Sequence, residues 1–245
     1  MWIGHSGAGK TGGLTPLVKA GYKLRILDMD NGLDALVNHI KAECPDKLSS
    51  VDYETVRDIV KSSTTGPKVT SARAFVKAAS LMDKWSDGSI PSEWGPEYIF
   101  VLDSLTALGR AAYSWAQSLN PTAKEKRQWY GEAQNGIEDL IALLTGESFR
   151  TNVIVISHVD LREQPDGSTK GFASSIGASL GPKLPRYFNT LVLSESVGSG
   201  KTIRRRIKTF PTALIDLKNP APMKIEAEYP LETGMADLFR QLTSK

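Results

Sequence analysis

The segment Gly4-His5-Ser6-Gly7-Ala8-Gly9-Lys10-Thr11 matches the spacing G-x-x-x-x-G-K-[ST] in full. Glycines let a backbone wrap closely around a polyphosphate with its N–H groups turned inward, and a helix after the loop adds its positive N-terminal end. In such a loop Lys10 reaches the β- and γ-phosphates and the Thr11 hydroxyl ligates magnesium. All eight residues therefore form a candidate nucleotide cradle, with ATP and Mg2+ as the implied ligands. From average residue usage, the four fixed positions coincide by chance in roughly one chain in a hundred of this length.

A phosphate loop needs an acid at the end of a neighbouring strand to hold the magnesium shell. Asp103, directly after the apolar run Ile99-Phe100-Val101-Leu102, stands in that position. Hydrolysis also needs a group that orients or deprotonates the attacking water. Leu27-Asp28-Met29-Asp30-Asn31-Gly32 supplies two acids sharing one strand face. Asp30 is the candidate base and Asp28 the alternative for the same task. A further apolar run ends Ile156-Ser157-His158, where a polar side chain could sense the γ-phosphate; a hydrogen-bonded structural histidine is the competing reading.

These residues need strands and helices to hold them. Leu24–Asp28, Tyr98–Leu102 and Val153–Ile156 read as strands, the last two as continuous apolar runs suited to a parallel sheet covered on both faces. Leu33, Leu36, Val37 and Ile40 recur at helical spacing, as do Val69, Ala72, Phe75, Ala79 and Met82, with residues 62–67 as the loop before the second set. Ile137, Leu140, Ile141 and Leu144 mark a third helix, closed by Gly146. This alternation predicts one α/β domain over residues 1–245, a mostly parallel central sheet flanked by helices. Residues 162–182, rich in Gly, Ser and Lys, read as a long mobile loop. Segments 190–193, 202–209 and 224–227 read as strands forming an antiparallel C-terminal edge. The strand feeding the phosphate loop is only Met1-Trp2-Ile3, which implies a very short first strand or an N-terminus trimmed from a longer chain.

Composition sets outer bounds. Of 245 residues, 40% are hydrophobic and 23% charged, an ordinary globular balance, and the net charge of +3 does not by itself indicate nucleic-acid binding. No apolar run approaches the roughly 20 residues of a membrane-spanning helix. There is no signal-peptide pattern, and Cys44 is the single cysteine, so a reducing, cytoplasmic compartment is expected.

Taken together, these segments resemble the RecA-like recombinase ATPases, and most of all the small phage-encoded forms associated with single-strand annealing and recombination. The resemblance covers roughly residues 1–230. Asp28-Met29-Asp30-Asn31-Gly32-Leu33-Asp34 fits the family's acid-x-acid-x-x-Leu-Asp segment, whose second acid is the catalytic carboxylate, although RecA itself carries Glu at the position of Asp30. Leu102-Asp103-Ser104-Leu105-Thr106-Ala107-Leu108 is similar to the family's magnesium strand. The family places Gln where this chain has His158.

The resemblance implies a homo-oligomer, ring or filament, with ATP between subunits, and single-stranded DNA bound by two loops. The equivalent segments here are about 117–131, with Lys124, Lys126, Arg127 and Trp129, and 162–180, with Arg162, Lys170 and Phe172. Cations offset phosphate repulsion and an aromatic can stack on a base; a pair of solvated loops is the alternative. The densest positive stretch, Lys201–Lys208, puts Arg204, Arg206 and Lys208 on one strand face. Family members reach cations from this region into a neighbour's ATP site, so Arg206, Lys208 and Lys218 are candidate fingers in trans. A charged edge strand that resists aggregation accounts equally well for them. The implied activity is DNA-stimulated ATP hydrolysis in phage-type recombination or annealing. Another P-loop motor, such as a helicase or packaging ATPase, and a weakly hydrolysing ATP-dependent scaffold are the rivals.

Overall fold

Apolar runs and amphipathic stretches alternate along the chain, and in the computed structural model, described over residues 1–243, they become a main eight-stranded sheet between two helical layers, with two separate two-stranded hairpins. In chain order the first half holds β1 (Trp2–Gly4), α1 (Thr15–Lys19), β2 (Lys23–Asp28), α2 (Asp34–Glu43), β3 (Val51–Thr55), β4 (Ile59–Lys61), β5 (Lys68–Ser71) and α3 (Ala74–Asp83). Then follow β6 (Tyr98–Asp103), α4 (Leu105–Leu119), α5 (Lys126–Thr145), β7 (Asn152–Ser157), β8 (Val159–Glu163) and β9 (Thr169–Ala173). The chain closes with β10 (Val192–Val197), β11 (Arg204–Lys208), β12 (Glu228–Pro230) and α6 (Leu231–Thr243).

The main sheet runs β12-β11-β10-β1-β7-β6-β2-β3. Its six strands from β10 to β3 are parallel, and β11 and β12 add the antiparallel edge. Alternation along each strand divides the core between the two faces. Ile3, Leu27, Phe100, Leu102 and Val155 pack against α3, α4 and α5. Trp2, Leu24, Ile26, Ile99, Val101 and Ile154 pack against α1, α2 and α6. The doubly covered interior explains why β6 and β7 read as unbroken apolar runs.

Short as it is, β1 pairs on both sides, Ile3 with Leu193 of β10 and with Ser157 of β7. Gly4, Asp28, Asp103 and Ser157 all end parallel strands, so the chemistry-bearing loops gather at one edge, where α/β sheets bind ligands.

Several expectations shift. Residues 162–182 are not one loop: β8 and β9 form a hairpin, and a 3-10 segment begins at Gly181. Alternating side chains hidden among glycines and serines paired locally, which composition alone does not reveal. Val69 belongs to β5, residues 62–67 are the turn of the β4–β5 hairpin, and the helix begins only at Ala74. The last edge strand is Glu228–Pro230 rather than 224–227, because Tyr229 pairs opposite the fully buried Ile207 and is itself buried. Segment 117–131 divides between the end of α4, a short connection and the first turns of α5.

Candidate functional site

The phosphate loop bridges β1 and a helical segment that starts as a 3-10 turn at Gly12–Leu14 and continues as α1. Gly7 and Gly9 have φ of 77° and 83°, a left-handed conformation that residues with a Cβ adopt at a cost, so these two glycines let the loop curl. The Ala8 carbonyl accepts from the buried Ser194 hydroxyl of β10 at 2.9 Å, tying the loop to the sheet.

Lys10 is buried, and its Nζ donates to the Gly4 and His5 carbonyls at 2.8 and 3.0 Å. Burial lowers its pKa, against the opposing pull of Asp103 and Asp30. The Thr11 hydroxyl donates to Asp103 Oδ2 at 2.7 Å, across 92 residues of sequence. Asp103 ends β6, and the next residue, Ser104, caps α4 by accepting from the Ala107 N–H at 3.3 Å. Burial raises the Asp103 carboxyl to about 6; the Thr11 hydrogen bond and Lys10 lower it, while Asp30 and Asp28 push it up. A hydroxyl beside one carboxylate suits Mg2+, which is commonly held by one or two protein oxygens together with phosphates and waters.

The two acids after β2 have different surroundings. Asp28 is buried, and its Oδ1 accepts from the N–H groups of Asp30, Asn31 and Gly32 while Oδ2 accepts from Thr55 Oγ1. Those bonds hold Asn31 at φ 57°, so Asp28 shapes the loop with its carboxylate oxygens already engaged. Asp30 is exposed on the cleft wall. His158 also lines the cleft; burial and then Lys10 lower its pKa, with Asp30 opposing, which favours a neutral imidazole. The His158 backbone N–H donates to Thr106 Oγ1 at 3.1 Å, and its carbonyl accepts from the Ser174 N–H at 2.7 Å. Thr106 and Ser157 both donate to the Ser174 carbonyl, joining α4, β7 and the end of the β8–β9 hairpin.

The cleft holds about 560 Å³ and brings Gly7, Lys10, Thr11, Asp30, Asp103 and His158 together. A larger one, about 760 Å³, lies at the other end of the sheet around Met1, where among the described residues Lys224 is the only charged side chain in the lining. Polar convergence, more than size, marks the smaller one as the candidate site.

The remaining candidate residues lie elsewhere. Trp129 donates from Nε1 to the Asn120 carbonyl and packs edge-on against Tyr113, so stacking on a base would require it to detach. Arg127 is paired with Glu125, while Lys124 and Lys126 are exposed. On the β8–β9 hairpin, Arg162 is paired with Asp160 and lies over Phe172, and Lys170 is paired with Asp216. Arg206 is bonded to Glu195 and Glu228, and Lys208 to Glu195. Burial alone would raise Glu195, but Arg206 and Lys208 outweigh it and hold the carboxyl below its usual range. Lys218 donates to the Pro185 and Phe188 carbonyls and sits on the bridge to Leu191, one residue before Val192 meets Trp2. That is the end of the sheet away from this chain's own phosphate loop.

Arg205, left out of the sequence reading, donates from Nε to the Gly7 carbonyl at 3.2 Å and lines the cleft. The signal was present: Arg205 shares a strand face with the apolar Ile207, which turns toward the α6 layer.

The fold resembles that of a RadB recombinase, with a TM-score of 0.51 and 15% identity over 95% of this chain and 87% of that one. The flagellar accessory protein FlaH from Methanocaldococcus jannaschii aligns with a TM-score of 0.49 and 12% identity over 95% of this chain and 85% of that one. No curated protein matches the sequence. The AAA domain family model matches residues 1–221, and the chain belongs to that family.

Proposed function

We propose that this protein binds and hydrolyses ATP with Mg2+, and that single-stranded DNA stimulates the reaction in phage-type recombination or annealing. The observation that carries the reading is the 2.7 Å bond between Thr11 and Asp103, which brings the hydroxyl and the acid of a magnesium site together beside Lys10. Lys10 exchanges loop carbonyls for phosphate oxygens when nucleotide enters. Bound Mg2+ supplies charge neutralisation on the phosphates. Asp30, on the cleft wall, accepts the proton of the attacking water or orients it. His158 reports on the γ-phosphate through its backbone links to Thr106 and Ser174, which lead into the β8–β9 hairpin. Lys124, Lys126 and that hairpin form the proposed DNA surface of a homo-oligomer.

A second reading, an ATP-gated scaffold that turns over slowly, is favoured by the internal pairing of Trp129, Arg162 and Lys170. ATP hydrolysis measured with and without single-stranded DNA, for the wild type and Lys10→Ala, separates the two. DNA stimulation abolished by the substitution is the expected result. Turnover indifferent to DNA removes the recombination reading, and negligible turnover with retained ATP binding favours the scaffold.

A further inference from the structure

Among the cations of β11, Arg206 and Lys208 are committed to Glu195, and Arg206 also to Glu228. Arg205 points the other way. Its Nε holds the Gly7 carbonyl, and its side chain lies so close to Gly9 that a Cβ there would fall 2.9 Å from Arg205 Cδ. Among the described residues no carboxylate lies within ion-pairing distance of its guanidinium, although the side chain lines the cleft shared by Lys10, Thr11 and Asp103. Elsewhere arginines with an acid in reach take it, as Arg25 does with Asp52 and Asp87 and Arg162 with Asp160. An arginine kept free of carboxylates and held by one nitrogen to a phosphate-binding loop retains the terminal donors of its planar fork.

We propose that Arg205 is a phosphate ligand of its own chain's nucleotide: a cationic clasp in cis that closes the loop from the β11 side. The inference rests on the ATP-binding reading of the cleft and adds a residue to it. Bidentate, charge-assisted contact with phosphate oxygens is the recognition chemistry. The Nε contact to Gly7 pre-organises the group, so little side-chain freedom is lost on binding.

The test is binding of a fluorescent ATP analogue, with ADP and adenosine as competitors, to the wild type, Arg205→Ala, Arg205→Lys and Arg205→Gln, each checked by thermal unfolding. Arg205→Ala is expected to weaken ATP about ten- to a hundredfold, the range for a lost charge-assisted contact. Adenosine competition stays unchanged, Lys restores part of the loss, and Gln restores little. Mixing Arg205→Ala with Lys10→Ala then separates cis from trans. No recovery of tight binding supports the clasp in cis, whereas recovery shows that Arg205 serves a neighbouring subunit and overturns it. Wild-type binding that Arg205→Ala leaves intact, or a loss shared equally by adenosine, overturns the inference alone. A wild type that binds no nucleotide removes the ATP reading, and the clasp with it.

Discussion

Asp28 gives the sharpest perturbation, because two acids two residues apart compete for one catalytic role and the structure separates them by their partners. Asp28 Oδ1 accepts from the Asn31 N–H at 2.8 Å, the Asp30 N–H at 3.1 Å and, weakly, the Gly32 N–H at 3.4 Å, and Oδ2 accepts from Thr55 at 3.0 Å. Hydrogen bonds to a charged acceptor contribute about 1.5–3 kcal/mol each, and leaving buried donors unsatisfied adds to the loss. Counting the two short N–H bonds and the hydroxyl, with allowance for relaxation and water entry, Asp28→Ala should cost about 3–5 kcal/mol. Such a loss is a large share of a typical total stability of about 5–15 kcal/mol. Asp28→Asn retains an acceptor for the three N–H groups, and Thr55 can turn to accept from the amide, so its cost should be about 1 kcal/mol. Urea denaturation of both variants, read beside ATP turnover, gives the comparison. A large drop in midpoint is expected for Ala, a small one for Asn, and Asn turnover within a few-fold of wild type. If Asn keeps wild-type stability but loses turnover, Asp28 and not Asp30 is the base. If Ala leaves the midpoint unchanged, the carboxylate does not hold the loop.

Asp103→Asn should trade function for stability. The folded carboxyl is raised to about 6, above its ordinary 3.8, so its favourable contribution is present below about pH 4 and lost as pH rises through 6. The metal-free variant should therefore be more stable than wild type at pH 8, by on the order of 3 kcal/mol, with the gap closing toward pH 4. Its Mg2+-dependent gain in ATP affinity should vanish. Thermal unfolding across pH with chelator, and nucleotide titrations with and without Mg2+, measure both; a gap that does not change with pH contradicts the assignment. Gly13→Ala should destabilise by about 1–3 kcal/mol, since its Cβ would lie 2.7 Å from Trp2 Cη2 and 2.8 Å from Leu231 Cδ1. Denaturant unfolding checks this, and a stabilised variant would mean that helix propensity outweighs the packing.

Among the described residues no helix is long and apolar enough to cross a membrane, in keeping with the absence of a long apolar run in the sequence. Much of the architecture was legible for the same reason: strands buried on both faces carry unbroken apolar runs, and the phosphate loop depends on glycine backbone conformations that only a few residue types supply. The elements missed were those whose pattern is weak or short. β3 has no fully buried residue, and the β8–β9 hairpin is written in glycines, serines and charges. The helix α6 is amphipathic, yet nothing local ties it to the phosphate loop, where Leu231 closes against Gly9 and Gly13.

The sequence by itself determined where the glycine-rich loop with its lysine and threonine lies, which acids end strands, and that the strands run mainly parallel. Tertiary structure alone decided the partners of each polar group, because sequence distance hides them. Thr11 reaches Asp103 across 92 residues, Arg205 reaches Gly7 across 198, and Lys218 spends its charge on carbonyls at the far end of the sheet. Asp28 and Asp30 have the same side chain two residues apart. Burial with four donors makes the first a structural pin, while the second stands exposed on the cleft wall.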